Sequence, residues 1–139
     1  MAGESHRPTA DVRQKDRTEL RKAVSSSSAI ADLCLRYNEV LLTQARIGAA
    51  CNAVHHIEAR FCRCLLQSRD RTESDTIMFT QDFLAEMFGV RRTSLNEVAS
   101  KIQAAGAISC SRGVIKIIDI KAVKALSCEC YETLREQTS

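Results

Sequence analysis

A mainly α-helical fold carrying one small β-hairpin is predicted for these 139 residues. Three observations predict it. From Ile30 onward, apolar or small residues recur at alternating steps of three and four for more than three heptads, which keeps one seam on one face of a helix. Five glycines and one proline are too few for a turn-rich all-β chain. The runs Ala107–Cys110 and Val114–Ile118 read as two short strands around a Ser111-Arg112-Gly113 turn.

Composition narrows the classes further. Hydrophobic residues make up 45% and charged residues 27%, enough for one core in one domain with extensions. Aromatics are only 4% and tryptophan is absent, so that core must rest on Leu, Ile, Val and Ala. The longest clean apolar stretch, Ile47 to Cys51, falls far short of the ~18 residues that span a bilayer. The charged first thirty residues show no signal-peptide core. A soluble, cytoplasmic protein is expected, with its seven cysteines kept as thiols. A net charge of +3 permits an anionic partner without requiring one.

Residues 1–28 read as a polar leader, poorly ordered or a fragment of helix, ending in the serine run Ser25 to Ser28. Residues 29–55 form the long helix. Its stripe comprises Ile30, Leu33, Tyr37, Val40, Gln44, Ile47, Cys51 and Val54, interrupted only by Gln44. Such a stripe either packs on its own domain or self-associates. So small a chain offers little surface to cover it, which favours self-association through Ile30, Leu33, Tyr37, Val40, Gln44 and Ile47.

Residues 56–119 form the central domain. Its first helix, His56 to Arg69, turns Ile57, Phe61, Leu65 and Leu66 inward and Glu58, Arg60, Arg63 and Gln67 outward. Ile77-Met78-Phe79 suits a short strand. Thr80 then caps the helix Gln81–Phe88, with Phe79 and Leu84 placed as a hydrophobic staple and Asp82 near the positive end. Gly89 ends it, and a second helix runs from Arg92 to about Ala105. In residues 120–139, Asp119 caps a last helix whose Ile120, Val123, Leu126, Cys130 and Leu134 face inward.

Two short helices joined by a glycine turn and followed by a β-hairpin make a winged helix-turn-helix. The spacing is more specific than the outline. Small Ala85 stands where the helices touch and Gly89 where the chain reverses, while Leu84, Phe88, Val90, Leu95 and Val98 fill the apolar positions that fix the crossing. The outer face of the second helix carries Arg92, Thr93, Asn96 and Glu97, residue types that suit guanine, adenine and cytosine edges in a major groove. Arg91, Lys101, Arg112 and Lys116 suit phosphates, which position a protein on DNA without reading sequence. A solvated face in a protein-interaction module is the competing reading.

From about Leu35 to Tyr131 the chain resembles the C-terminal part of a Crp/Fnr-family transcription regulator. The matching pieces are Leu35-Arg36-Tyr37, Ala49-Ala50-Cys51-Asn52, Ile57-Glu58-Ala59-Arg60, Ser111-Arg112-Gly113, Cys128-Glu129-Cys130-Tyr131 and above all Thr80 to Ser94. The resemblance implies that the long helix dimerises, that the helix from Arg92 is the recognition helix, and that Val114 to Ile118 belongs to the wing. Thr93 and Glu97 depart from well-known relatives, which carry an acid and an arginine there, so the DNA half-site should differ. Such relatives also carry an N-terminal β-roll sensor. Its ~8 strands do not fit in the residues before Ile30, so a regulator lacking the sensor domain is expected.

The resulting expectation is a dimeric, sequence-specific regulator of double-stranded DNA at an inverted repeat. The alternative is an interaction protein that heterodimerises with full-length relatives and modulates them. No catalytic set stands out, and no cofactor or metal is expected. The pairs Cys62/Cys64 and Cys128/Cys130 are closer than the usual C-x-x-C ligand spacing, and His55-His56 has no obvious third ligand, so these are read as structural thiols and as a hinge or surface pair.

Overall fold

The computed structural model describes residues 9–137, as seven helices and one three-stranded sheet. The first eight residues of the expected leader lie outside the described residues. The chain divides into two compact units, residues 1–42 and 43–139.

The first unit is helical. Helix α1 covers Thr9–Ser26 and α2 begins at Ser28, running to Val54 in the second unit. The serine run is therefore a joint between helices where a loop was an open expectation. The backbone ladder continues across it, from Ser27 N–H to the Ala23 carbonyl and from Ala31 N–H to the Ser27 carbonyl. Ser27 also accepts through its hydroxyl from the Ile30 N–H at 3.4 Å, as an N-capping residue does. On α2, Leu33 and Tyr37 are 67% and 64% exposed, and Leu35, Leu41 and Leu42 are exposed with them. Ile30 is exposed and Val40 half-buried.

The second unit is built around α3, Ile57–Thr72. Its Phe61, Cys62, Leu65 and Leu66 are buried at the centre of the core. Around it stand β1 (Thr76–Met78), α4 (Gln81–Phe88), α5 (Arg92–Ala104), β2 (Ile108–Ser111), β3 (Val114–Ile117), α6 (Ile120–Leu126) and α7 (Cys130–Glu136). The strands are antiparallel in the order β1-β3-β2, so the expected two-stranded wing gains β1 as a third strand. Ile77, Ile115 and Ile117 point into the core while Lys116 stays exposed, the alternation that a one-faced sheet needs.

Three expectations are corrected by the fold. Arg60, expected on the wet face, is 9% exposed. Its guanidinium donates to the Phe88 carbonyl at 3.2 Å and lies over the Phe88 ring, so it satisfies the C-terminal end of α4. Arg63, also expected outside, is half-buried and donates to Gln67 at 2.7 Å. The last helix is two, α6 and α7, because Ser127 adopts an extended backbone that turns Cys128 into the interior. Leu134 and Val123 are buried as expected.

Candidate nucleic-acid interface

The α4–turn–α5 unit is held by local chemistry at each joint. The Thr80 hydroxyl accepts from the Phe83 N–H at 3.2 Å. Gly89 takes a left-handed φ of 64°, its N–H donating to Glu86 while the Val90 N–H donates to Ala85. These two bonds are the Schellman pair that closes a helix and redirects the chain. Leu84, Phe88, Leu95, Val98 and Ile102 then lock α4 and α5 into the core.

With that face fixed, the other side of α5 is open. Arg91, Arg92, Thr93, Glu97 and Lys101 are exposed and Asn96 is half-buried. Arg92 reaches back to α4, where its Nε donates to the Gln81 carboxamide at 3.1 Å and its guanidinium stands 3.3 Å from Asp82. Lys101 faces Glu58 of α3 at 3.7 Å. Glu97 makes no ion pair among the described residues, and Arg92 and Lys101 are paired with Asp82 and Glu58 instead.

The wing approaches the same face. Arg112 and Gly113 both have positive φ, 42° and 80°, forming the two-residue turn whose twist matches a hairpin. A non-glycine residue in that region is uncommon and carries a conformational cost. Arg112 is therefore held at an exposed tip against its backbone preference. A groove of about 110 Å³ has a floor that includes the core residues Leu84, Leu95 and Ile115 and is also lined by Gln81, Asn96 and Arg112, so the start of α4, the middle of α5 and the wing tip border one concavity.

The sequence profile of the Crp-like helix-turn-helix domain matches residues 59–126. This segment is therefore similar to a Crp-like helix-turn-helix domain. Among solved structures, the chain is similar to a transcriptional regulator assigned to the Crp/Fnr family from Eubacterium rectale, at 18% identity and a TM-score of 0.62 over 77% of this chain and 50% of that one. It also matches the Thermus thermophilus catabolite activator protein at 17% identity and a TM-score of 0.44, over 77% of this chain and 45% of that one. The chain thus spans about half the length of these structures. No curated protein matches it significantly.

The likeness to a Crp-like helix-turn-helix covers α4 and α5, but it does not account for every cysteine. Cys62 is fully buried in α3, where burial and the Glu58 carboxylate push its thiol up to about 12. It is packed within the core. Cys128 and Cys130 are different. The structure brings them beside Cys51 and His55, and none of the four lines the groove. The expectation that His55 lacks further ligands is therefore corrected. One half of the signal is visible in the sequence, since Cys51 and His55 are four apart and share a helix face. The other half needs the chain to fold back over more than seventy residues.

Proposed function

We propose that the chain is a sequence-specific DNA-binding transcription regulator of the Crp/Fnr type, acting as a dimer in the cytoplasm. The observation that carries this reading is the groove shared by Gln81, Asn96 and Arg112, beside the exposed Arg92, Thr93 and Glu97. In this reading α5 enters the major groove, where the planar fork of Arg92 suits guanine O6 and N7, Asn96 suits adenine, and Glu97 accepts from cytosine N4. Arg91, Lys101 and Arg112 take phosphates. The exposed apolar residues Leu33, Tyr37 and Leu41 support pairing of α2 with a second copy, since such a stripe on a polar helix favours a helical partner. DNA binding without a small-molecule signal is part of this proposal, as the sequence reading expects.

Fluorescence anisotropy of a labelled duplex, titrated with the 139-residue chain with and without cyclic AMP or cyclic GMP, tests the reading. Binding whose affinity shifts less than tenfold is expected. A larger shift, worth more than ~1.4 kcal/mol, would contradict ligand independence. Light scattering on the same sample, alone and mixed with a full-length relative, should give a homodimer. A chain that stays monomeric alone and pairs only with the relative would favour an interaction protein instead.

A further inference from the structure

We propose that Cys51, His55, Cys128 and Cys130 form a structural zinc site. The four side chains each offer one ligand atom, and these atoms lie within 4.8 Å of one another. The Cys51 and Cys128 sulfurs are 3.6 Å apart, and the Cys130 sulfur is 3.7 Å from Nδ1 of His55. A tetrahedral zinc, with sulfur at ~2.3 Å and nitrogen at ~2.0–2.1 Å, sets its donors roughly 3.5–3.8 Å apart. Two edges of the tetrahedron are thus already at their bonded length, and the widest pair needs to close by only about 1 Å.

The surroundings fit a metal better than a set of packed thiols. His55 presents Nδ1 to the sulfurs while its Nε2 lies 3.2 Å from the Glu129 carboxylate. An imidazole bound to zinc through one nitrogen donates through the other to just such a carboxylate, which fixes its tautomer and strengthens it as a ligand. All four cysteine and histidine positions are buried or half-buried, and no cysteine of the chain is in a disulfide. Iron–sulfur cluster ligands spread wider, because they bind different irons; at this site one ion would touch all four donors.

Local structure makes this convergence possible. Cys51 and His55 sit one turn apart at the end of α2, where the His55 N–H donates to the Cys51 carbonyl at 3.0 Å. The extended Ser127 delivers Cys128 to the interior, and Cys130 opens α7. The two-residue spacing that would split these cysteines across a continuous helix is resolved by that break between α6 and α7. With four protein ligands, the site leaves no open position for catalysis and is structural. It would pin the C-terminal helices to the last turn of α2.

The test is direct on the full 139-residue chain, purified under reducing conditions. One zinc per chain is expected by metal analysis. Replacement by cobalt(II) should give the visible absorption of a tetrahedral ion with thiolate charge transfer. Cys128→Ser and His55→Gln should abolish that spectrum, while Cys110→Ser, on an exposed strand position, should leave it unchanged. Glu129→Gln should keep the metal but weaken its retention against a chelator by about tenfold to hundredfold. Unmutated chain that carries no zinc and gives no tetrahedral cobalt spectrum would overturn the proposal without reference to any variant. So would a spectrum equally sensitive to Cys110→Ser. None of these readouts involves DNA, so the zinc site and the DNA-binding reading stand or fall separately.

Discussion

Asp82, in the first turn of α4, holds Arg92, the first residue of α5, across the turn that joins the two helices. The carboxylate and guanidinium are 3.3 Å apart, and Gln81 takes the Nε–H of the same arginine. Both side chains are more than half exposed. An exposed pair of this kind contributes only ~0–1 kcal/mol to stability, so its consequence is the orientation of the guanidinium. Arg92→Ala should cost ~1–3 kcal/mol on the preferred DNA site and relax preference at one base pair per half-site. Asp82→Asn should change that preference by less than about 1 kcal/mol, because Gln81 still restrains the arginine. Titrations on the preferred site and its single-base variants check both. A uniform loss for Arg92→Ala, with base preference intact, would remove it as the reading residue.

Lys101 and Arg112 should behave differently. Among the described residues, Lys101 is held by a solvent-accessible 3.7 Å pair with Glu58, which DNA can displace at a cost of about 1 kcal/mol or less. Lys101→Ala and Arg112→Ala should weaken all sequences alike. Each should flatten the dependence of log affinity on log salt by about one unit for every phosphate that is no longer neutralised. Binding measured at several salt concentrations gives the slope.

Glu97 stands exposed on the same face with no basic partner among the described residues. An unpaired acid there repels phosphates unless a base edge donates to it. Glu97→Ala should therefore change which sequence is preferred while raising affinity for unrelated DNA. Competition between the two duplex types separates these effects.

Gly89 provides a stability check on the turn. At φ 64° a side chain is strained, yet an added Cβ would meet nothing within 4 Å. The cost of Gly89→Ala is then conformational alone, about 1–2 kcal/mol. Urea unfolding should show the loss as a lower midpoint with an unchanged slope.

The helix-turn-helix was legible because its signals are local. Thr80, Ala85 and Gly89 each act within five residues of themselves, and the apolar period alone marks Leu84, Leu95 and Val98 as inward. The exposed residues of α5 followed by subtraction. Their pairings did not, because Asp82 and Glu58 come from other helices. The same limit hid Arg60, whose burial is possible only because the Phe88 carbonyl is there to accept from it. It also hid the meeting of Cys51 and His55 with Cys128 and Cys130, which depends on the extended backbone at Ser127. The long stripe reads as one seam in the sequence, but a repeat of 3.5 drifts ~20° per heptad on a straight helix. Near its C-terminal end Cys51 is fully buried within its own unit, whereas Leu33 and Val54 are exposed.

The exposed Leu33, Tyr37 and Leu41 support a proposed dimer contact through the N-terminal and middle parts of α2. Val40→Asp combined with Ile47→Asp should convert the dimer to a monomer, since charges buried in the seam lack partners. Light scattering at micromolar concentration checks it. A double variant that stays fully dimeric would contradict pairing through this helix.

Sequence-specific recognition through α5 is best tested by selecting bound duplexes from a random DNA pool with the 139-residue chain. An inverted repeat should be enriched, with half-sites about one helical turn apart, ~34–36 Å centre to centre. The Arg92→Ala chain should lose one base position from each half-site. A pool that shows no enriched sequence, with binding that depends on salt alone, would contradict such recognition.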